Sequence, residues 1–297
     1  MKILVTGATG FIGPYVVRAL VDAGHHVRVL EREPGRSSEL PSQEAVAGDV
    51  TDRASLRRAV EGMDAVVHLI AIINGRPQDF ERIMVQGTRD LVEAAKDAGV
   101  RRFVHMSALG TDETTKDLVP YYHAKWAMEQ TLKNSGLEHV IFRPSFVFGR
   151  GGGALEQFMR IAKLAPVTPI VGRGTQRIQP IWVEDVAAYF AAALERPEAA
   201  NRTFEIGGPD IVTWNEFWAQ LKRAAGVRRP SLHLPLSLMR AQAAVLEKLP
   251  KPPVTRDQLT MLEAGDNVVS NSDAVDLFGL PLVPLADQLR RASAKDG

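Results

Sequence analysis

"MKILVTGATGFIGPYVVRAL", residues 1–20, decides the fold at its centre. "KILVT" (2–6) is a short β-branched run that reads as a strand. "FIGPYVVRALVDAG" (11–24) carries apolar residues at helical spacing, and Gly24 is placed to end the helix. Between them "TGATGFIG" (6–13) sets Gly7, Gly10 and Gly13 at G-x-x-G-x-x-G spacing. One glycine lets the chain turn sharply out of the strand, one lets a pyrophosphate approach the backbone, and one lets helix and strand pack closely. The helix N-terminus beyond offers unpaired N–H groups and a partial positive charge to phosphates. Three glycines could serve tight packing alone. Their place at the first strand-to-helix junction of a β-α-β unit argues for a dinucleotide held by Gly7, Thr9, Gly10, Phe11, Ile12 and Gly13.

The alternation continues downstream. "HVRVLE" (26–31), "EAVAG" (44–48), "DAVVHLIA" (64–71), "RRFVHMSA" (101–108) and "EHVIFRPS" (138–145) read as strands. "DAVVHLIA" is apolar enough to be buried on both faces. "ASLRRAVEG" (54–62), "FERIMVQGTRDLVEAAKDAG" (80–99) and "PYYHAKWAMEQTLKNSG" (120–136) read as helices, the last with proline at its start. Repeated β-α-β units with right-handed crossovers predict an α/β fold, a Rossmann-type doubly wound parallel sheet with helices on both faces.

After about residue 150 the rhythm weakens. "GRGGGA" (149–154) is a break; "TFEIGG" (203–208) is one more strand and "TWNEFWAQLKRAAG" (213–226) a helix. Proline-punctuated "RRPSLHLPLSL" and "KLPKPPVT" follow. The expected division is a dinucleotide-binding domain over 1–150, to which 178–207 returns. A smaller C-terminal substrate or lid domain is expected over 151–177 and 208–297. The amphipathic segment at 234–249 has packing against the sheet domain as its default. A lid over an apolar substrate and a peripheral membrane contact are the alternatives.

Composition narrows the classes. Of 297 residues, 45% are hydrophobic and 24% charged, as in soluble globular proteins. A net charge of +1 gives no broad basic field, so no nucleic-acid partner is expected. The absence of cysteine excludes disulfides, thiolate metal sites and a cysteine nucleophile. His25 and His26 have no partners at ligand spacing, so no metal is expected either. The first residues run straight into strand and turn without a signal-peptide pattern, and no apolar run approaches the ~20 residues of a membrane span. The longest, "VAAYFAAAL" (186–194), reads as a buried helix. A cytoplasmic location is the expectation.

Two places speak to chemistry. At the end of the second strand, "VLEREP" offers Glu31 and then Arg32. An acid there accepts hydrogen bonds from the adenosine ribose of NAD(H), whereas an arginine pairs with the 2′-phosphate of NADP(H). A charge-assisted arginine–phosphate contact is worth roughly 1.5–3 kcal/mol. NADP(H) is therefore favoured, with NAD(H) the alternative and two solvated surface charges the bland reading. In "YYHAKWAMEQ" (121–130), Tyr121 and Lys125 lie four apart on one helical face. A free tyrosine has a pKa of ~10, and a neighbouring ammonium brings it towards a useful acid–base range. Taken alone, such a pair is a common accident, an amphipathic tyrosine beside a solvated lysine. Tyr122 is turned away from that face. His68, at the end of a buried strand, reads as a packed and satisfied side chain.

With the glycine turn, "GDVTD" (48–52), "VVHLIA" (66–71), Tyr121/Lys125 and "RPSFVFG" (143–149) in this order, the chain resembles an extended or atypical short-chain dehydrogenase/reductase over nearly its whole length. "GATGFIGPYVVRAL", "FRPSFVFGR", "QPIWVEDVA" and "LTMLEAGDNVV" resemble the branch that includes the nucleotide-binding accessory subunit of respiratory complex I and its bacterial relatives. The resemblance implies that Asp49 and Val50 contact the adenine and that Leu69, Ile70 and Ala71 line the dinucleotide path. It implies Tyr121 as proton donor or acceptor and Lys125 as the residue binding the nicotinamide ribose, with Pro144 and Ser145 nearby. Ser107 is the candidate for the family's catalytic serine. Two positions depart from the pattern. Met84 stands where many members have asparagine, and alignment of "VHMSALG" places the usual serine nearer Leu109.

Three functions compete. The first is an NAD(P)(H)-dependent oxidoreductase moving hydride to or from a small or apolar carbonyl or alcohol. The second is a non-catalytic NADP(H)-binding sensor or complex-stabilising module, and the third a nucleotide-sugar epimerase or dehydratase. Monomer and homodimer both stay open.

Overall fold

The computed structural model describes residues 1–247, 255–270 and 272–294. In chain order the sheet unit is built from β1 (Lys2–Thr6), α1 (Gly13–Asp22), β2 (His26–Glu31), β3 (Glu44–Ala47), α2 (Arg53–Val60) and β4 (Ala65–His68). Then come α3 (Gly87–Asp97), β5 (Arg102–Met106), α4 (Pro120–Lys133), β6 (Glu138–Pro144), α5 (Val183–Glu195) and β7 (Arg202–Ile206). The seven strands form one sheet in the order β7-β6-β5-β4-β1-β2-β3. Every neighbouring pair is parallel. This is the doubly wound parallel sheet the sequence pattern predicts.

The strand order reverses between β1 and β4. In open α/β sheets ligands bind outside the carboxyl ends of the strands at that reversal. The central strands are buried on both faces, which is why they read as continuous apolar runs. Leu4, Val66 and Phe103 face a layer made by Leu56, Ala59 and Val60 of α2 and Leu91, Val92 and Ala95 of α3. Alternation turns Ile3, Val5, Ala65 and Val67 to the opposite face. α1 and α5 pack against each other through their apolar sides.

Two elements differ from the sequence reading. β4 ends at His68, so Leu69–Ala71 leave the sheet at its carboxyl edge rather than extending the strand. The helix expected over 80–99 is in two parts, a π-helical turn at Phe80–Gln86 and then α3. The wider π winding rotates the first part against the second, a feature frequent at functional sites. Gly87 opens α3 where a Cβ would stand 2.8 Å from Val50 Cγ2. Only a glycine allows that close approach.

Contacts divide the chain into two compact units. The first comprises Met1–Pro144, Val183–Ile206 and Ser270–Pro281, and the second Ser145–Trp182, Gly207–Val269 and Leu282–Gly297. The second unit has its own aromatic core, in which Phe158 sits 5.4–5.5 Å, centroid to centroid, from Trp214, Phe217 and Trp218. Edge-to-face pairs of this kind add about 0.5–1.5 kcal/mol each beyond area burial. Its helices include Gly153–Leu164, Trp214–Ala224 and Leu285–Ser293, and Thr168–Val171 pairs in parallel with Ser231–Leu234. Within the segment expected at 234–249, Leu236–Leu246 is helical. Residues 248–254, nearly all of "KLPKPPVT", lie outside the described residues, as do 271 and 295–297. Among the described residues no helix is long and apolar enough to cross a membrane.

Candidate functional site

The turn after β1 is set by backbone geometry. Gly7 has φ +80°, and a Cβ there would lie 3.0 Å from both Leu69 C and Ile70 N. A side chain would meet a left-handed penalty of roughly 1–2 kcal/mol and a clash with the chain leaving β4. The Gly10 N–H donates to Gly7 O at 3.0 Å, closing the turn. A Cβ on Gly13 would stand 2.2 Å from Ala8 O, so this glycine lets α1 pack onto the turn. Gly10 differs, since a Cβ there meets only Gly7 O, at 3.3 Å, and otherwise points into open space. Thr9 and Gly10 are exposed, with Phe11 and Ile12 half-buried beside them. α1 begins with proline in its first turn, no side-chain cap and no acid. Its first N–H groups are thus left for an anion, and the space above Gly10 is where a side chain would otherwise stand. These residues fit a pyrophosphate.

At the end of β2, Glu31 and Arg32 have separate fates. Glu31 is buried, and its carboxylate accepts from Gly35 N at 2.8 Å, Ser37 N at 2.8 Å and Ser37 Oγ at 2.6 Å. Those bonds, led by the Ser37 hydroxyl, hold its pKa below the ordinary carboxylate value against the opposing effect of burial. Glu31 thereby organises the loop 32–37. Arg32 is exposed. Across from it, Asp49 Oδ1 accepts from the N–H and hydroxyl of Thr51 at 2.8 and 2.7 Å. Burial works to raise the Asp49 pKa, but the Thr51 bonds and the charges of Arg32 and Arg82 more than reverse it. Val50 is buried against Gly87.

His68 closes the reversal point from below. Its Nδ1 lies 2.6 Å from Thr6 Oγ1 and its Nε2 3.0 Å from Thr88 Oγ1, which ties the ends of β1 and β4 to α3. Burial, helped by the Lys125 charge, lowers its pKa to about 3, so it is neutral. The imidazole of His105 stacks on it at 5.5 Å and is neutral for the same reasons. His68 is packed and satisfied, as the sequence reading has it.

Tyr121 and Lys125 share one face of α4. Tyr121 is half-buried on a cluster of Phe80, Met84, Val85, Ala124 and Met128, beside Ala71 and Ile72. This brings the end of β4, the π-helical turn and α4 together around the phenol. Burial, and then Tyr122, raise the Tyr121 pKa well above its ordinary value, opposite to the lowering expected from a neighbouring ammonium, because the ring is desolvated and Lys125 has itself lost much of its charge. Lys125 is wholly buried. Its Nζ donates to Met106 O at 2.6 Å and lies 5.9 Å from the centre of the Tyr121 ring. Burial pushes its pKa down to about 7, with Glu129 acting the other way. Tyr122 is packed beneath Gly110, where a Cβ would meet its hydroxyl at 3.0 Å.

Ser107 belongs to another constellation. Its Oγ donates to Glu129 Oε1 at 2.6 Å. Glu129, fully buried one turn beyond Lys125, also accepts from Arg143 Nε at 2.8 Å, Arg143 Nη2 at 2.7 Å and Lys133 Nζ at 3.0 Å. The Arg143 fork and the Ser107 hydroxyl hold the Glu129 pKa low although burial pushes it up. This network joins α4 to the ends of β5 and β6. Leu109, at the position where the serine of related proteins is expected, is buried, and its N–H donates to Pro144 O at 3.0 Å. Ser145 opens the second unit, where its hydroxyl donates to the carbonyl of Gln179.

Glu129 and Arg143 were not singled out in the sequence. The available signal was an acid at four and eight residues past Lys125 and Tyr121, on a helical face expected to be buried, together with an arginine inside a strand. Neither is tolerated in a core without the other. Among the described residues no group of histidine, aspartate and glutamate side chains is arranged to hold a metal ion.

The NAD dependent epimerase/dehydratase family model matches residues 3–207. Ceramide reductase of Caulobacter vibrioides is 31% identical over 239 residues, covering 78% of this chain and 73% of that protein. Subunit 9 of the NADH dehydrogenase (ubiquinone) 1 alpha subcomplex of Mus musculus is 32% identical, covering 69% of this chain and 56% of the subunit. The chain thus spans little more than half of that relative. Among solved structures, gox2253 is similar with a TM-score of 0.80 and 26% identity, covering 98% of this chain and 96% of that one. The NADPH-dependent quinone oxidoreductase QOR2 of Escherichia coli, complexed with NADPH, has a TM-score of 0.78 over 97% of this chain and 98% of its own. At 22% identity, that likeness is one of fold.

Proposed function

The chain belongs to the NAD dependent epimerase/dehydratase family, an NAD(P)-binding one, and from that premise we propose that it is an NADP(H)-dependent reductase of a small or apolar carbonyl compound. The observation that carries the reading is Lys125. A solvated lysine four residues after a tyrosine would mean nothing. A lysine with no exposed surface, held by one backbone carbonyl beside that tyrosine, has a cost that packing does not explain.

The bound dinucleotide supplies the hydride. The protein's own residues hold and move the proton. Tyr121, a phenol protonated at neutral pH, donates to the carbonyl oxygen of the substrate. Lys125, with a pKa near 7 in the free protein, gains its charge readily and stabilises the phenolate left behind. The apolar cluster of Phe80, Met84 and Ala71 around the phenol suits an apolar substrate. The smaller unit is read as the part that selects it. NADP(H) is favoured over NAD(H) because Glu31 is taken up by Gly35 and Ser37 whereas Arg32 is exposed. The similarity to a ceramide reductase agrees with a reductase reading.

A second reading rests on Ser107, Leu109 and Met84. With the serine engaged by Glu129 and apolar side chains at the other two positions, the chain could bind the dinucleotide without turnover, as a module in an assembly. Oxidation of NADPH against a panel of apolar aldehydes, ketones and quinones separates the two. Turnover that falls ~10²–10⁴-fold in Tyr121→Phe, with NADPH affinity kept, supports the reductase. No turnover with a saturated site leaves the binding module.

A further inference from the structure

The whole-chain charge of +1 conceals a division. The larger unit carries twenty lysines and arginines against twenty-six acids, the smaller sixteen against nine. Within the smaller unit two stretches, 157–182 and 217–246, hold nine cations and no acid. The fold brings their ends together. Arg229 Nη2 donates to Lys163 O at 3.1 Å, and Lys222 Nζ to Arg229 O at 2.9 Å and to Ser231 Oγ at 2.8 Å. Thr168 N donates to Pro230 O at 2.9 Å, and Leu232 pairs with Pro169 in the two-stranded ladder.

The same edge exposes large apolar side chains. Leu164 is 74% accessible, Leu232 48% and Val167 36%. Around them Arg160, Lys163, Arg223 and Arg228 are exposed. Among the described residues none of these four is paired with a carboxylate. Protruding leucines beside unpaired cations, in stretches of chain without acids, match one environment, the headgroup boundary of an anionic bilayer. There the cations meet phosphates and the leucines enter the acyl region. A nucleic acid would use the cations but has no place for the leucines.

We propose that this edge of the smaller unit, Arg160–Val167 with Arg223–Leu232, docks on anionic phospholipid surfaces. The test is flotation of the full chain with vesicles of phosphatidylcholine alone and of phosphatidylcholine mixed with phosphatidylglycerol. The expected result is capture by the anionic vesicles only, weakened by salt. Each Lys or Arg near such a surface contributes roughly fivefold in partition. Lys163→Glu combined with Arg228→Glu then lowers capture by about 25-fold or more. Leu164→Ser combined with Leu232→Ser lowers it by about tenfold or more. Both pairs keep the wild-type unfolding temperature and NADPH affinity; if the charge reversal unfolds, Lys163→Gln with Arg228→Gln replaces it. The proposal fails if anionic vesicles do not capture the protein, or if neutral and anionic vesicles capture it alike. It fails if the serine pair floats like wild type, which would mean attraction to any polyanion. It also fails if the serine pair dissociates an oligomer in lipid-free sedimentation, which would mean that a second copy covers the leucines.

Discussion

The glycine turn and helix α4 stand at the same edge of one sheet, yet they are held in opposite ways. The turn is shaped by atoms within a few residues of each other, with one long-range contact, the approach of Gly7 to Leu69 and Ile70. α4 is held by groups far apart in the chain: Met106 for Lys125, and Ser107 and Arg143 for Glu129. Substitutions can therefore damage one without the other, and they sort the two by size of effect.

The largest effect is expected at the turn. Gly13→Val places a side chain where even a Cβ would be 2.2 Å from Ala8 O. The helix must move off the strand, and overpacking of this kind at a backbone contact costs about 3 kcal/mol or more. Urea unfolding should show that loss together with loss of measurable NADPH binding. Normal stability in this variant would mean that the turn is looser than its geometry says.

The second effect belongs to α4. Glu129→Ala leaves the largely buried Arg143 guanidinium and the buried Ser107 hydroxyl without their shared acceptor. Removing one partner of a buried pair is strongly destabilising, and with Arg143 keeping some contact with water the loss is about 2–3 kcal/mol. Unlike Gly13→Val, this variant should still bind NADPH at low temperature while its turnover falls, because the helix bearing Tyr121 loses its tie to β5 and β6. Turnover equal to wild type in the folded fraction would limit Glu129 to a stabilising role.

The same contrast explains what could be read from the sequence. The parallel sheet follows from β-branched runs alternating with helical periodicity, and the turn follows from the spacing of three glycines. Both are local patterns. Tyr121 and Lys125 were visible as a pair, but the burial of Lys125 was not, because it depends on β5 ending at Met106 beneath it. Position alone makes Glu31 a candidate ligand. Its capture by Ser37 depends on the path of a loop that no periodicity describes. The π-helical turn at 80–86 had no pattern to announce it, since the extra residue in its winding leaves composition unchanged. The two-sided charge distribution was lost in a single net figure.

A third effect tests the burial of Lys125 by pH. In the unfolded chain a lysine titrates at ~10.4, whereas in the free folded protein burial brings it to about 7. Between those values the unfolded state binds the proton and the folded state does not, so this group makes stability rise with pH. The contribution is absent in Lys125→Met. From pH 7 to 9.5, wild type should therefore gain on the order of 3 kcal/mol relative to that variant, at ~1.4 kcal/mol per unit. Parallel urea titrations of the two proteins give the difference directly. A constant gap across that window would mean that Lys125 is hydrated and its place beside Tyr121 incidental.

The smallest and most selective effect is expected at the end of β2, where the proposed function has the adenosine bind. Arg32 is exposed while Glu31 is spent on Gly35 and Ser37. Arg32→Ala should weaken NADPH by roughly tenfold or more and leave NADH unchanged, since the lost contact is to a phosphate that only NADPH carries. Ser37→Ala works from the other side. It removes the strongest of the three bonds on Glu31, and a carboxylate freed to turn outward favours the ribose hydroxyls of NADH and repels the 2′-phosphate. Both substitutions should narrow the preference, one by loss of NADPH affinity and the other by gain for NADH. Calorimetric titration of each variant with both dinucleotides distinguishes them. If neither changes the ratio, the choice of dinucleotide is made by some other part of the protein, and the loop that locks Glu31 serves only to hold the end of β2.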